Sequence, residues 1–278
     1  MNTAFELTTG PIAALDNSIG AGPAAVRGVV LLVPGYTGSK EDFMPLLRPL
    51  AAGGYRAVAI DQRGQYQSGW SPTAAGYQLD ALASDLCELA DQLIATGNAL
   101  HLVGHSFGGL VSRAAVLAAP QLFADLVLMG SGPSGIQGAR RAALDAGEPV
   151  LAEHGMGALW QQLQARSQAD PRYVRPAPAV QAFLQARFMA TDPISLQVMG
   201  TTLRDTADRS DQLAALGKPL LVLHGVDDDA WPPAVQVEMA ARLGAAYAVI
   251  ERAAHSPAVE NPADTIRALI DFWQVSQA

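Results

Sequence analysis

The chain has 278 residues, of which 50% are hydrophobic and 16% are charged, so it carries enough apolar material for one large core or two small ones. This composition excludes a disordered protein. The 26 acidic residues outnumber the 18 basic ones and give a formal net charge of −8, which excludes nucleic acid as a partner because phosphate binding needs a basic face.

The chain shows neither a membrane-spanning segment nor a secretory signal. Charged residues or proline interrupt every apolar stretch before it reaches the roughly 18 to 20 residues that span a bilayer. No Lys or Arg precedes Arg27, so the basic segment that opens a secretory signal is missing. The single cysteine, Cys87, forms no internal disulfide, which agrees with a reducing compartment. We therefore expect a cytosolic protein with no membrane partner.

Short, nearly all-apolar runs alternate with longer stretches of helical period. Such runs are typical of strands buried on both faces of a parallel sheet, and they lie at 28–33, 55–60, 99–104, 124–130, 218–224 and 246–250. Residues 4–17 are expected to add an antiparallel hairpin at one edge, with Gly10 and Pro11 as its turn. The pattern predicts an α/β fold with a mostly parallel, doubly wound sheet of about eight strands and helices on both faces.

One long stretch between two predicted strands has no strand pattern. Residues 133–212 show helical period and are too long for a connecting loop. We interpret them as a helical cap inserted after the sixth strand. The predicted organisation is therefore an α/β core domain, 1–132 and 213–278, with a cap or lid, 133–212.

A serine lies at the junction of an apolar strand and a helical stretch. Residues 102–109 read Leu-Val-Gly-His-Ser-Phe-Gly-Gly, which contains the Gly-x-Ser-x-Gly pattern of a nucleophile elbow around Ser106. The tight turn needs very small residues two positions before and after the serine, and Gly104 and Gly108 stand there. A helix amino terminus beneath the serine favours developing negative charge. The alternative is a glycine-rich turn in which Ser106 only caps the helix.

A serine nucleophile needs a base within hydrogen-bond reach and a third group that orients the base. Of the five histidines, His255 is the favoured base, because it follows the last predicted strand in a loop at the carboxyl edge of the sheet. His105 is interpreted as a packing residue whose side chain turns away from Ser106, and His101 as a packing residue in a strand. No motif surrounds the two remaining histidines, His154 and His224.

Three consecutive carboxylates follow the strand at 218–224, namely Asp227, Asp228 and Asp229. Their loop lies at the same edge of the predicted sheet as Ser106 and His255. One of them is expected to orient the base, and the alternative for each is a solvated turn or a helix N-cap. Position alone leaves the choice among the three open.

The elbow and the chain order serine, acid, histidine resemble the α/β-hydrolase superfamily, in particular its capped, serine-nucleophile, carboxylesterase-like and lactonase-like members. The family's acid usually stands three residues after the glycine that ends its strand, so the resemblance selects Asp228 through Gly225. It also implies an oxyanion hole made by two backbone N–H groups, those of Phe107 and Tyr36. Pro34 stands where many relatives have histidine.

Two aromatic residues and the arginines of the cap are candidates for substrate contact. Residues 61–68 resemble a family turn in which Asp61 and Arg63 are structural ties and Tyr66 replaces a glycine. Tyr66 and Trp231 are expected to contact an apolar acyl or aryl group, and packing is the alternative. A cap arginine is a candidate clamp for a substrate carboxylate. The alternative is that the cap arginines form an ion-paired surface. The arginines of the cap are Arg140, Arg141, Arg166, Arg172, Arg175, Arg187, Arg204 and Arg209.

The sequence therefore predicts a serine hydrolase that cleaves a carboxylic ester, thioester or lactone of a small molecule through an acyl-enzyme on Ser106. No cofactor or metal is expected, because the chain has neither metal-ligand spacing nor a nucleotide-phosphate loop. The alternatives on the same fold are a lyase, a carbon–carbon hydrolase, an acyltransferase or perhydrolase, and a ligand receptor with little turnover. The physiological substrate and the oligomeric state stay open.

Overall fold

The computed structural model describes residues 2–18, 26–95, 97–170 and 173–276. Within these residues, eight strands form a sheet in the order β1, β2, β4, β3, β5, β6, β7, β8. The first three strands of that order pair antiparallel and the remaining pairs are parallel. The strands are β1 (Asn2–Leu7), β2 (Gly10–Asp16), β3 (Gly28–Val33), β4 (Tyr55–Ile60), β5 (Leu100–His105), β6 (Asp125–Met129), β7 (Leu220–Gly225) and β8 (Ala246–Ile250).

Helices follow most of the strands, as expected for parallel crossovers. They are α1 (Met44–Ala52), α2 (Leu79–Ile94), α3 (Phe107–Ala118), α4 (Gly138–Ala169), α5 (Pro178–Met189), α6 (Pro193–Asp205), α7 (Ser210–Ala214), α8 (Pro233–Leu243), α9 (Pro257–Glu260) and α10 (Pro262–Ser276). A 3₁₀ turn, Lys40–Phe43, leads into α1.

The apolar residues of the central strands divide between the two faces of the sheet. Alternate residues of β3 belong to two separate core clusters, Val29 and Leu31 to one and Val30 and Leu32 to the other. The first cluster includes side chains of α2, α3 and α8, and the second includes side chains of α1 and α10. Helices therefore cover both faces, which confirms the predicted doubly wound α/β fold.

The edge hairpin is present, but its predicted turn is wrong by two residues. Gly10 pairs with Leu7 and begins β2, so Thr8 and Thr9 form the turn. The backbone N–H of Thr8 donates to Glu88 at 2.7 Å and the hydroxyl of Thr9 donates to Asp85 at 2.7 Å. Because Glu88 and Asp85 belong to α2, a contact between distant segments fixes the turn, and the local signal from glycine and proline misplaced it.

The helices α4, α5, α6 and α7 connect β6 to β7, and they are called here the inserted helices. They begin and end close to the stretch predicted as helical, although α7 continues to Ala214. The 32-residue helix α4 changes direction at Gly155, whose φ of 77° is non-helical. No helix among the described residues, α4 included, combines the length and apolar character needed to cross a membrane.

The inserted helices are tied to the carboxyl edge of the sheet. The hydroxyl of Tyr36 donates to the carbonyl of Leu196 in α6 at 2.8 Å. The backbone N–H of Asp192 donates to the carbonyl of Gly64 at 2.8 Å, and the Tyr77 hydroxyl donates to the Asp192 carboxylate. These bonds hold the inserted helices above the edge at which the predicted nucleophile lies.

Candidate active site

Three side chains from separate loops meet at the carboxyl edge of the sheet. Ser106 follows β5, Asp228 follows β7 and His255 follows β8. Oγ of Ser106 lies 2.9 Å from Nε2 of His255, and Nδ1 of His255 lies 3.0 Å from Oδ1 of Asp228. These distances join a hydroxyl, an imidazole and a carboxylate in one chain of hydrogen bonds, the arrangement that activates a serine for nucleophilic attack.

The backbone at Ser106 has the strained conformation of a nucleophile elbow. Its φ of 55° and ψ of −120° are rare for a residue with a side chain. A β-carbon built on Gly104 would lie 2.5 Å from the carbonyl oxygen of Gly108, and one built on Gly108 would lie 2.4 Å from the carbonyl oxygen of Val33. Both positions therefore admit only glycine, which is the reason for the spacing seen in the sequence.

Asp228 is the one of the three consecutive aspartates that contacts His255. Its Oδ1 also accepts from the backbone N–H of Ala230 at 2.9 Å, and its Oδ2 accepts from Nε2 of Gln236 at 3.0 Å. Burial by itself raises the pKa of Asp228, but the hydrogen bond and charge of His255, with those two further donors, hold the pKa below its usual value. The carboxylate therefore stays ionised at neutral pH.

The two neighbouring aspartates face elsewhere. Asp229 forms a two-bond ion pair with Arg140, whose Nη2 lies 2.7 Å from Oδ1 and whose Nε lies 3.1 Å from Oδ2. The side chain of Asp227 is exposed. The geometry thus favours Asp228 among the three alternatives that position in the sequence left open.

The loop 34–36 packs directly against Ser106. A β-carbon built on Gly35 would lie 3.1 Å from Cβ of Ser106, so the backbone of Gly35 and Tyr36 borders the nucleophile. On the other side of the serine, Phe107 is the first residue of α3. Its N–H has no partner within the helix, because the first four amides of a helix have none.

Two glutamines hold this loop in place. Nε2 of Gln65 donates to the carbonyl of Gly35 at 2.7 Å, and Nε2 of Gln62 donates to the carbonyl of Pro34 at 2.9 Å. Gln62 and Gln65 thus brace this loop, in which Pro34 stands where many relatives have histidine. Sequence analysis did not find these glutamines, because only the pairing of β3 with β4 brings their loop beside residues 34–36.

His105 does not behave as the expected packing residue. Its Nε2–H donates to the carbonyl oxygen of His255 at 2.7 Å, and the two imidazole rings lie 5.0 Å apart. Burial and, to a smaller extent, the charge of the neighbouring His255 together lower the pKa of His105 to about 4. Its side chain therefore turns toward the site, and as a neutral donor it fixes the backbone of the His255 loop.

The burial of His105 predicts an acid-sensitive stability. The folded pKa of about 4 lies below the ordinary histidine pKa of 6.5, so between these pH values the unfolded chain binds a proton that the folded chain does not. The free energy of unfolding is therefore expected to fall as the pH drops from 6.5 toward 4, with a slope of up to about 1.4 kcal/mol per pH unit from this group.

Urea unfolding of the parent and of His105→Gln across this pH range measures the effect. Glutamine keeps a donor for the carbonyl of His255 and does not titrate, so the variant should lose stability less steeply on acidification. His154→Gln is the matched control, because the side chain of His154 is 65% exposed. Parallel curves for the parent and His105→Gln would contradict the assignment.

A cavity of about 690 Å³ opens onto Ser106 and His255. Much of its wall is apolar and comes from the inserted helices, namely Leu144, Leu151, Leu159, Leu163, Phe188 and Leu196. Polar residues line the part near His255, including Arg140, Asp227, Asp229, Ser256 and Glu260. The cavity thus combines an apolar chamber with a polar region beside the imidazole.

The two aromatic residues expected to contact substrate lie outside the cavity wall. The ring of Tyr66 packs edge-to-face on Phe183 with 5.9 Å between centroids, and the ammonium of Lys40 lies 4.8 Å from its ring centre. Trp231 is buried, and its Nε1 donates to the carbonyl of Ser134 at 3.0 Å. These contacts are of the packing kind that the sequence left as the alternative, and the ring of Trp231 also lies 6.5 Å from that of His255.

The remaining polar candidates have structural partners. Asp61 accepts from Nζ of Lys40 at 2.8 Å and Arg63 pairs with Asp85, as expected of ties. Nδ1 of His101 lies 2.6 Å from Asp125, and Nε2 of His224 lies 2.6 Å from the hydroxyl of Tyr247. A search of the described residues found no cluster of three or more His, Cys, Asp or Glu arranged to hold a metal ion.

Three of the eight candidate clamp arginines line the cavity, namely Arg140, Arg187 and Arg204. Arg187 pairs with Asp42 and Arg204 pairs with Glu148, so each of the three is joined to a carboxylate. Outside the cavity wall, Arg141 pairs with Asp205 at 3.3 Å. Arg172 lies outside the described residues. The ion-paired alternative therefore describes these arginines better than a free clamp.

The fold and the proteins similar to this chain together define its class. The chain is an α/β-hydrolase, a hydrolytic enzyme of that superfamily. Residues 24–262 match the model of the family described as serine aminopeptidase, S33, and the chain belongs to this family. A Pantoea ananatis protein provisionally named carbamate hydrolase RutD is 28% identical over 260 residues, which cover 90% of this chain and 89% of that protein.

Solved structures show the same fold. A thermophilic esterase from Thermogutta terrifontis, solved with malate bound, superimposes with a TM-score of 0.79 at 21% identity over the full length of both chains. The enol-lactonase from Burkholderia xenovorans superimposes with a TM-score of 0.80 at 21% identity, covering 98% of this chain and all of that one. These similarities show the fold alone.

Proposed function

We propose that the protein is a serine hydrolase that cleaves a carboxylic ester, thioester or lactone through an acyl-enzyme on Ser106, without a cofactor. The observation that carries the proposal is the pair of hydrogen bonds from Ser106 to His255 at 2.9 Å and from His255 to Asp228 at 3.0 Å. The names of the similar proteins, which include an esterase and an enol-lactonase, support this reaction class.

In the proposed reaction, Oγ of Ser106 attacks the substrate carbonyl and its proton passes to Nε2 of His255. Asp228 holds the imidazole by its Nδ1–H and stabilises the imidazolium that forms. The imidazolium then gives the proton to the leaving alcohol or thiol as the carbonyl–heteroatom bond breaks. Water, deprotonated by His255, attacks the acyl-enzyme and releases the acid and the free serine.

The oxyanion of each tetrahedral intermediate is assigned to the backbone N–H groups of Tyr36 and Phe107. They belong to the two segments that flank Ser106, one braced by Gln65 and the other at the start of α3. Donors held in this way stabilise the developing charge without reorganising during the reaction. We assign residues 133–212 as a cap whose apolar side chains receive the acyl group.

A ladder of p-nitrophenyl esters from acetate to dodecanoate tests the proposal. We expect turnover with an optimum at a medium chain length, because the apolar chamber lies within a cavity of about 690 Å³. A fluorophosphonate probe should label the protein once, and peptide mass spectrometry should place the label on Ser106. A folded protein that hydrolyses none of these esters and takes no label would contradict the proposal and favour a lyase, a carbon–carbon hydrolase or a receptor.

A further inference from the structure

The apolar chamber of the cavity also contains a charged pair, Glu148 with Arg204. Leu144, Glu148 and Leu151 follow one another at spacings of four and three residues on α4, so they share one face of the helix, and all three line the cavity. Glu148 therefore interrupts a row of leucines. The charge of Glu148 faces a largely buried cation across the cavity wall.

The partner is Arg204 of α6. Its Nη1 pairs with Oε2 of Glu148 and lies 3.4 Å from Oδ1 of Asp145, and its Nη2 donates to the hydroxyl of Thr201 at 3.1 Å. The side chain of Arg204 is 12% exposed, whereas that of Glu148 is 41% exposed. The guanidinium thus sits deep in the wall with two carboxylates against it.

This pair lies near the hydroxyl of Tyr36, which is the far end of that side chain from its backbone N–H. A β-carbon built on Gly200 would lie 3.0 Å from the hydroxyl of Tyr36, and Arg204 follows Gly200 by one helical turn on the same face of α6. Tyr36 supplies one of the proposed oxyanion donors. An acyl chain bound to Ser106 and directed toward α6 would therefore meet Arg204 and Glu148.

The cavity as a whole carries more negative than positive charge. The described residues that line it include three arginines and six acids, namely Asp42, Glu148, Asp170, Asp227, Asp229 and Glu260. The other two lining arginines are likewise paired, Arg140 with Asp229 at 2.7 Å and Arg187 with Asp42. An anionic substrate group entering this cavity would meet net repulsion.

We propose that Glu148 is a specificity-determining residue: by occupying Arg204 it makes the chamber accept uncharged acyl chains and reject acyl chains that end in a carboxylate. This inference rests on the proposed ester hydrolysis at Ser106. Without Glu148, Arg204 would keep only Asp145, 3.4 Å away and outside the cavity wall, so its guanidinium could bind a substrate carboxylate from the cavity side.

A matched pair of esters tests the assignment. p-Nitrophenyl hexanoate and the p-nitrophenyl half-ester of adipate have the same chain length and differ in a terminal carboxylate. The parent should prefer hexanoate by at least about tenfold in kcat/KM, and Glu148→Gln should reduce this preference by about tenfold. The increase in kcat/KM for adipate should disappear in the double variant Glu148→Gln with Arg204→Gln, because the remaining lining arginines, Arg140 and Arg187, are still paired with Asp229 and Asp42.

The control is Glu153→Gln, which makes the same chemical change on the same helix at a side chain that is 70% exposed and outside the cavity wall. Its hexanoate-to-adipate ratio should equal that of the parent. A parent that prefers adipate, or a folded Glu148→Gln variant with an unchanged ratio, would overturn the assignment while hydrolysis of hexanoate leaves the proposed function standing.

A binding measurement on an inactive variant tests the role of Glu148 independently of the proposed reaction. Calorimetric titration of methyl hexanoate and monomethyl adipate into Ser106→Ala, with and without Glu148→Gln, measures the charge preference without turnover. A preference that shifts toward adipate when Glu148 is replaced supports the role of Glu148 even if the parent hydrolyses neither ester, in which case the proposed reaction fails. Equal shifts for both esters would overturn the role of Glu148.

Discussion

Replacement of Ser106 by alanine is expected to lower kcat for ester hydrolysis by at least about 10⁴-fold. The variant loses the oxygen that forms the acyl-enzyme, and only the oxyanion donors and the binding cavity remain to assist direct attack by water. The fold should be retained, because the backbone N–H of Ser106 still donates to the carbonyl of Met129 at 2.9 Å and alanine has a similar volume.

The matched control for this variant is Ser112→Ala. Ser112 is buried in α3, the helix that follows Ser106, and its side chain lies outside the cavity wall. Its kcat should stay close to that of the parent. Steady-state kinetics on the best ester, with urea unfolding of both variants, separates loss of the nucleophile from loss of structure. A folded Ser106→Ala variant that keeps a tenth of the parent kcat would rule out Ser106 as nucleophile.

Asp228→Asn is expected to lower kcat by about 10⁴-fold. The carboxylate of Asp228 accepts from three donors, the Nδ1–H of His255, the N–H of Ala230 and the Nε2 of Gln236. His255 and Ala230 share Oδ1, so an asparagine amide turns its N–H₂ either toward Gln236 or toward both of them, and a donor then faces a donor. If that donor is His255, the imidazole adopts the tautomer that is unable to accept the proton of Ser106.

The loss of charge adds to this effect. The parent carboxylate stabilises the imidazolium that forms when His255 takes the serine proton, and the neutral amide does not. Asp227→Asn removes the same charge from the adjacent, exposed position, where solvent and salt screen it, so kcat should change by less than about threefold. If Asp227→Asn or Asp229→Asn lowers kcat more than Asp228→Asn does, the orienting acid has been misassigned.

Much of the fold was readable from local pattern. The six strands β3 to β8 were predicted within two residues of their ends. A strand covered on both faces is apolar along its whole length, but the expected burial is wrong for β8, an edge strand of which only Ile250 is buried. The elbow was equally legible, since the close approach of the backbone at Gly104 and Gly108 leaves a fixed spacing around Ser106. These features depend on residues that are neighbours in the sequence.

The turn of the edge hairpin, the role of His105 and the bracing glutamines were not readable in this way. Each depends on a contact between segments far apart in the chain: Thr8 with Glu88, His105 with the carbonyl of His255, and Gln65 with the carbonyl of Gly35. The packing contacts of Tyr66 with Phe183 and of Trp231 with Ser134 likewise join segments far apart in the chain. Proximity to the site in sequence does not determine the direction of a side chain.

The sequence by itself determined the α/β architecture, the order of serine, acid and histidine, and the position of each at the carboxyl edge, because hydrophobic period and glycine spacing are local consequences of burial and tight turns. Asp228 was selected beforehand by the family resemblance, and the tertiary structure adds its contact with His255. Only the tertiary structure built the cavity from the inserted helices and paired Arg204 with Glu148. Those features follow from how separate helices and loops pack together, and the energy of an ion pair or a hydrogen bond depends on distances that no single segment encodes.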